Sequence, residues 1–190
     1  MAGLRVIAGA AKGRKLKPVP GTGTRPISDR VKEALFNILG EHIVEAAVLD
    51  LFAGTGSVGI EALSRGAAYA EFVESNRLAA GIIQDNLNHT QLAARGRVVR
   101  ADVFIYLRNT PRTGFDYVHI APPQYQGLWS KTLHALDARP AWVNPDGLVV
   151  AQIHPREYEP QTLEHFTLVD ERRYGSTLLC FYERGGVSRK

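Results

Sequence analysis

Val48-Leu49-Asp50-Leu51-Phe52-Ala53-Gly54-Thr55-Gly56-Ser57-Val58-Gly59-Ile60 decides how this chain is read. Val48 to Phe52 is an apolar run with one acid set into it, the pattern of a buried strand. Glycines follow at 54, 56 and 59, and Ile60, Ala62 and Leu63 then open a helix. Strand, glycine turn and helix make a cradle for a nucleotide-like ligand. The glycines let backbone approach the ligand, and the helix N-terminus offers free N–H groups. The glycine spacing also fits a dinucleotide fingerprint. Asp50 tilts the choice: a carboxylate at this turn repels a pyrophosphate and attracts a ligand with an ammonium and a sulfonium. S-adenosylmethionine (SAM) is such a ligand. The plainer alternative is a tight strand-to-helix turn with a solvated Asp.

Downstream the pattern alternates. Strands are predicted at Ala70–Glu74, Arg97–Arg100, Phe115–Ile120 and Gly147–Ile153. Between them lie a helix from Asn76 to Gln91, with Leu78, Ile82, Ile83 and Leu87 facing inward, a short helix burying Phe104 and Leu107, and a helix from Leu128 to Leu136. Thr162–Val169 and Ser176–Tyr182 read as two last strands joined at Glu171–Gly175. The expected fold is α/β and Rossmann-like: a seven-stranded, mostly parallel sheet with an antiparallel edge.

Upstream, Leu4–Ala8 and Arg14–Pro18 flank a turn and predict a small β-hairpin. Ser28 is a candidate N-cap for a helix burying Val31, Ala34, Leu35 and Ile38 and ending at Gly40. The expected division is a basic arm over residues 1–24 and one ligand-binding domain over 25–190.

The 190 residues fit one domain with a small appendage, and the net charge of +4 is uneven. Residues 1–40 hold Arg5, Lys12, Arg14, Lys15, Lys17, Arg25, Arg30 and Lys32 against only Asp29 and Glu33. That imbalance points to a polyanion, most simply nucleic acid; a solvated basic arm is the alternative. No apolar run spans a membrane and the N-terminus lacks a signal-peptide core, so the expected location is the cytoplasm. Cys180 is the single cysteine and reads as a buried strand residue. No His/Cys cluster has zinc spacing, and no metal is expected.

Asp50, Glu74 and Asp102 all fall at or near predicted strand carboxyl ends, where ligands sit in such sheets. Glu74, about twenty residues past the first glycine, is placed to bind ribose hydroxyls. Asp102 either meets an adenine amino group, with Val103 against the ring, or caps a helix.

These residues resemble a known group. Asp50 to Gly59, Glu74, Asp102 and the Pro122-Pro123 turn look like a class I SAM-dependent methyltransferase. More narrowly, Arg5-Val6-Ile7-Ala8-Gly9, Gly13-Arg14-Lys15-Leu16 and Arg25-Pro26-x-x-Asp29-Arg30-Val31-Lys32-Glu33-Ala34-Leu35-Phe36-Asn37-Ile38-Leu39 are similar to the RsmD family. Its members methylate the exocyclic N2 of one guanine in bacterial small-subunit ribosomal RNA. The resemblance covers nearly the whole chain. It implies SAM bound by Asp50, Phe52, Ala53, Gly54, Thr55, Gly56, Ser57, Glu74, Ser75, Asp102 and Val103. It implies RNA contacts from Arg5, Lys12, Arg14, Lys15, Arg25 and Arg30. The implied partner is 16S ribosomal RNA, within the small subunit or an assembly intermediate, and the implied state is a monomer.

The resemblance has one break. The family usually carries Asp or Asn, then Pro-Pro, then an aromatic residue. Here the run is Ala121-Pro122-Pro123-Gln124-Tyr125. In the usual motif the side-chain oxygen and a backbone carbonyl accept from the target amine, and the aromatic stacks on the base. Ala121 has no acceptor, and Gln124 cannot stack as a ring would. Either backbone carbonyls near Pro122, with Gln124 and Tyr125, do this work, or the protein binds SAM and RNA without turnover. Tyr125 is the candidate stacking surface. Trp129 is either a second one or a core residue. A nicotinamide oxidoreductase and a DNA amino-methyltransferase are the rival enzymes. Asp50 and the Pro-Pro turn oppose the first, and the N-terminal motif opposes the second.

Overall fold

The computed structural model describes residues 4–21 and 26–185. Along the chain run α1 Asp29–Leu39, β1 Ala47–Leu51, α2 Ser57–Ser64, β2 Tyr69–Val73, α3 Arg77–Thr90 and β3 Gly96–Val99. There follow α4 Val103–Leu107, β4 Phe115–Ile120, α5 Leu128–Asp137, β5 Val143–Ile153, β6 Phe166–Tyr174 and β7 Thr177–Arg184. The strands form one sheet in the order β3-β2-β1-β4-β5-β7-β6. β1 to β5 pair in parallel, and β7 is antiparallel to both β5 and β6. This is the Rossmann-like, mostly parallel sheet with an antiparallel edge that the alternation predicts. Strand order reverses between β1 and β4, which opens a crevice at their carboxyl ends.

The buried faces depart from simple periodicity. α1 buries Val31, Lys32, Leu35, Phe36 and Leu39, while Ile38 is 39% exposed and Ala34 only partly covered. The face is turned toward Lys32 and Phe36 because α2 supplies their partners: Glu61 for Lys32, and the Arg65 guanidinium just beyond its end, 4.9 Å from the Phe36 ring. Ser28 does cap α1, accepting from Val31 N at 3.3 Å, and Gly40 ends it. On α3, Leu78 is exposed and Ala79, Ile82, Ile83, Asn86 and Leu87 turn inward. On α4, Tyr106 takes the buried place expected for Phe104, because its hydroxyl donates to Glu71 at 2.7 Å and its ring meets Trp142.

β6 runs past the expected turn at Glu171 and pairs Tyr174 with Thr177, so only Gly175 and Ser176 connect it to β7. β6 is an edge strand. Its irregular register at Leu168–Asp170 and its charged run Asp170 to Arg173 suit an edge that must not pair with another chain.

The N-terminal segment is a short antiparallel hairpin: Arg5 bridges Lys15, Leu16 N donates to Leu4 O, Val6 N to Arg14 O and Gly13 N to Val6 O. Its ladder stays short because its polar groups bond to the domain instead. Ile7 N and Ala8 N donate to the Glu61 carboxylate at 2.9 and 3.0 Å, and Ala11 N donates to Ser64 Oγ at 2.9 Å. Asn86 accepts from Lys17 N and donates to Lys17 O. Val6, Ala11 and Leu16 belong to the same apolar cluster as α1, α2 and α3. A Cβ on Gly9 would stand 1.8 Å from Ser64 O, so only glycine lets the segment lie this close.

Candidate active site

The glycine turn leaves β1 through Phe52, a bulky residue held at φ 61°. Such a conformation is costly for an aromatic side chain and gathers where ligands are held. Gly54 and Gly56 continue the left-handed path at φ 56° and 76° into α2. A Cβ on Gly59 would stand 2.3 Å from the Phe72 ring, so this glycine serves the approach of α2 to β2. Ser57 and Val58 open α2, where the first N–H groups have no intrahelical acceptor. The Ser57 hydroxyl is turned inward and accepts from Lys32 Nζ at 3.0 Å, so what Ser57 offers the turn is its backbone.

Three carboxylates brace this region. Asp50 is 2% exposed and accepts from Gly59 N at 3.0 Å. Burial pushes its carboxyl up to about 8, the Gly59 bond opposes that, and Glu74 adds to it. Burial thus favours the protonated form of Asp50 near pH 7, a condition on the charge argument that the sequence did not reveal. Glu74 spans the turn, accepting from Gly54 N at 2.9 Å and Asn76 N at 2.8 Å. Each carboxylate oxygen keeps a further lone pair for a hydroxyl. Asp102 caps α4 with Oδ1 alone, accepting from Phe104 N and Ile105 N. The helix-cap alternative is therefore realised, and the second oxygen is left for another donor. Ser75 is exposed beside Glu74, and Val103 is buried behind Asp102. Ala53 N and Glu74 N donate to Val73 O and Val99 O, tying the turn to the ends of β2 and β3. This donor and acceptor set fits SAM: free N–H groups and a buried acid at the turn, a carboxylate with spare lone pairs after β2, and a carboxylate oxygen left over after β3.

Across the crevice, Ala121 N reaches Leu51 O at 3.4 Å, so the turn after β4 starts directly beside the end of β1. Ala121, Pro122 and Pro123 are partly buried, and Gln124 and Tyr125 are exposed. Tyr125 is a second aromatic at φ 61°, with 64% of its surface free. Its backbone N donates to Glu157 Oε1 at 2.6 Å, and its ring lies 5.5 Å from that of His154. Glu157 and His154 sit after β5, in a short 3-10 turn at Pro155–Glu157, and neither was a candidate from sequence. The only local signal for them is the reciprocal capping of His154 and Glu157 around that turn. Trp129 is 2% exposed and stacks on Tyr158, which makes it a core residue.

The family model described as Conserved hypothetical protein 95 matches residues 4–183. The chain belongs to this family, the RsmD family. "Ribosomal RNA small subunit methyltransferase D" of Escherichia coli K12 is 36% identical over 184 residues, 95% of this chain and 90% of that one. The structure of YhhF from Escherichia coli superposes with a TM-score of 0.86 at 34% identity, covering 97% of this chain and 99% of that one. SMU.776, solved in complex with SAH, is 18% identical with a TM-score of 0.63, covers 81% of this chain and 48% of that one, and shares the fold.

Family membership sharpens two observations. Lys32, counted from sequence among the basic-arm charges, is fully buried. It donates to Arg5 O and Ser57 Oγ and lies 3.4 Å from Glu61. Burial pulls its ammonium below the usual range and Glu61 partly restores it. Lys32 is a buried brace, so its charge is not part of the arm's accessible surface. Arg5 pairs with Asp29, Lys17 pairs with Asp85, and Arg14 donates to His89 O and Gln91. Lys12, Lys15 and Arg30 are exposed and make no ion pair among the described residues. Arg25, the remaining expected RNA contact, lies outside the described residues.

An open hollow of about 520 Å³, lined by Ile38, Val44, Asp116, Asp146 and Glu183 among others, lies at the opposite edge of the sheet and shares no residue with the crevice. The Cys180 thiol is buried and pushed up to about 12, chiefly by that burial. Among the described residues, no group of three or more His, Cys, Asp or Glu side chains is set to hold a metal, and no helix is long and apolar enough to cross a membrane.

Proposed function

We propose that this chain methylates the exocyclic N2 of a guanine in small-subunit ribosomal RNA, using SAM as donor. The observation that carries the reading is the adjacency of two turns. The glycine turn after β1 and the Pro122-Pro123 turn after β4 open on one crevice, joined through Ala121 N and Leu51 O. The ribosomal substrate comes from the name of the Escherichia coli relative.

SAM, when bound, supplies an electrophilic methyl group on a sulfonium. Glu74 and Asp102 hold its adenosine, and the turn with Asp50 holds its amino-acid end. The chain's own task is to shape the acceptor. Pro122 and Pro123 have no backbone N–H, so this stretch of backbone presents carbonyl oxygens to a target amine and no donors of its own. Accepting the amine's hydrogens localises its lone pair and aims it along the line of transfer. Glu157 fixes Tyr125 so that its ring can stack on a base drawn out of its helix. Catalysis here is mainly positioning. No metal and no covalent enzyme intermediate are needed, and the amine's proton passes to water.

Residues 1–24, together with Arg30 at the start of the 25–190 domain, are proposed to grip RNA, with Lys12, Lys15 and Arg30 as the accessible phosphate contacts, while 25–190 carry out transfer. The enzyme acts as a cytoplasmic monomer on the small subunit or its assembly intermediate.

The deciding experiment is transfer from tritiated SAM to small subunits lacking the modification, followed by mapping of the labelled base. Label on a guanine N2 is expected. Converting Lys12, Lys15 and Arg30 to Glu is expected to weaken RNA binding and flatten its salt dependence by about three phosphate contacts, with SAM affinity unchanged. A wild type that binds SAM and RNA normally yet transfers nothing overturns the enzyme reading and favours a binding protein, the role that Ala121 suggests.

A further inference from the structure

Two buried polar atoms stand unpaired side by side near the acceptor turn: His119 Nε2 and Gln152 Oε1. β4 and β5 pair through His119–Val150 and Ile120–Ala151. One step further along the same register sets Gln152 level with Ala121. Side chains alternate along a strand, so His119, Val150 and Gln152 share one face of the sheet. His119 is 1% exposed, and its Nδ1 lies 2.8 Å from the Tyr117 hydroxyl. Gln152 is only partly buried, at the carboxyl end of β5 where the crevice opens. Burial pushes His119 down to about 4, and the Gln152 carboxamide beside it opposes that shift. The ring is therefore neutral at physiological pH, with one donor nitrogen and one acceptor nitrogen.

Buried polar atoms without partners are rare, and two together call for a reason. Two arrangements pair these atoms: His119 Nε2–H donates to Oε1 as the carboxamide stands, or the carboxamide takes half a turn. After the half turn its NH2 donates to His119 Nε2, His119 Nδ1–H donates to the Tyr117 oxygen, and Oε1 moves to the exposed end of the side chain. In the second arrangement the register sets that oxygen level with Ala121, where the family's usual acid or amide is absent. We propose that Gln152 supplies, from the neighbouring strand, the side-chain acceptor for the target amine that Ala121 lacks, with Tyr117 and His119 holding its carboxamide in that orientation.

This inference rests on the methyl-transfer reading. The amine donates one N–H to Gln152 Oε1 and another to turn carbonyl oxygen. Its lone pair forms the new N–C bond as the methyl–sulfur bond breaks and the sulfur keeps that electron pair. The surplus proton leaves to water, since a carboxamide accepts the hydrogen bond without taking the proton.

The test is single-turnover methylation of small subunits by the wild type, Q152M, Q152E and Q152M combined with A121N, with SAM affinity and thermal midpoint measured for each. Methionine keeps the length of the side chain and loses the acceptor, and the rate is expected to fall about tenfold to hundredfold with SAM affinity unchanged. Glutamate keeps an acceptor and is expected to stay within about fivefold of wild type. A121N restores a local acceptor and is expected to recover most of the loss in Q152M, a rescue that a merely structural Gln152 would not produce. Imidazole nitrogen NMR gives a readout independent of turnover: His119 Nε2 is expected to be an unprotonated, hydrogen-bonded acceptor in the wild type and to lose that bond in Q152M. An active wild type with Q152M within about twofold of it, or a failed rescue by A121N, overturns the proposal alone. So does a protonated Nε2 in the wild type. An inactive wild type overturns the methyl-transfer reading and this proposal with it.

Discussion

At the ends of β1 and β2, carboxylates brace backbone: Asp50 holds Gly59, Glu74 holds Gly54 and Asn76, and beneath them Glu61 holds Ile7, Ala8, Lys32 and Arg65. At the ends of β4 and β5, a single carboxylate, Glu157, holds Tyr125, and Ala121 stands where an acid is usual. The first region is a rigid frame in which side chains complete the backbone's hydrogen bonds before any ligand arrives. The second is lightly held and keeps its polar groups in reserve. On the proposed reading, the braced end holds the cofactor and the lightly held end receives the base.

The contrast is broken most severely at Glu61. Removing it leaves Lys32 buried without its partner and strips acceptors from Ile7 and Ala8. E61A is expected to lose about 3–5 kcal/mol of stability, measured as the shift in urea midpoint at unchanged slope. A loss below about 1 kcal/mol, the scale of an exposed pair, would mean that the buried frame is not what holds the N-terminal segment.

Next comes Glu74. E74A removes the ribose acceptor and the brace on Gly54, and SAM affinity is expected to fall by about 1–3 kcal/mol. Calorimetry decides it: equal affinity in mutant and wild type removes Glu74 from the cofactor site. The acceptor region should respond in the opposite sense. Y125A is expected to cost about 1–3 kcal/mol in single-turnover methylation through lost base stacking, while SAM affinity and stability stay close to wild type. A Y125A enzyme with normal transfer would leave the base without its proposed platform.

The smallest effect separates Asp50 from its neighbours. Its carboxyl is raised to about 8 in the free protein, so it is protonated below that pH and must lose the proton to favour a cation. Wild-type SAM affinity, divided by that of D50N, is expected to rise by roughly threefold to tenfold from pH 6 to 8 and then level off. D50N keeps an oxygen for Gly59 and does not titrate, and the ratio cancels the α-amino group of SAM, which titrates in the same range. A ratio flat across that window would show that Asp50 does not change charge on binding.

Much of the fold was legible locally. The apolar run into Gly54, the alternation of strands and helices, and Ser28 as a cap are properties of neighbouring residues, set by periodicity and backbone conformation. Phe115–Ile120 was bounded as it stands in the sheet. The acids at the strand ends were found because a parallel sheet puts every strand's carboxyl end on one edge. Buried faces were harder. Ile38 and Leu78 have the spacing of core residues and lie outside it, because periodicity defines a stripe but not which side of it meets a neighbour.

What the sequence determined by itself was the strand–glycine turn–helix unit, the parallel sheet built on it, and the edge where ligands go. Tertiary structure alone decided that Lys32 is a buried brace, that Glu157 holds Tyr125, and that Gln152 stands beside His119. Each depends on partners from distant parts of the chain. Helix packing brings Lys32 to Glu61, and strand register with the loop that follows brings β5 to the end of β4. Charge, burial and hydrogen bonding are properties of a position in space, and local sequence fixes only what each residue offers once it arrives there.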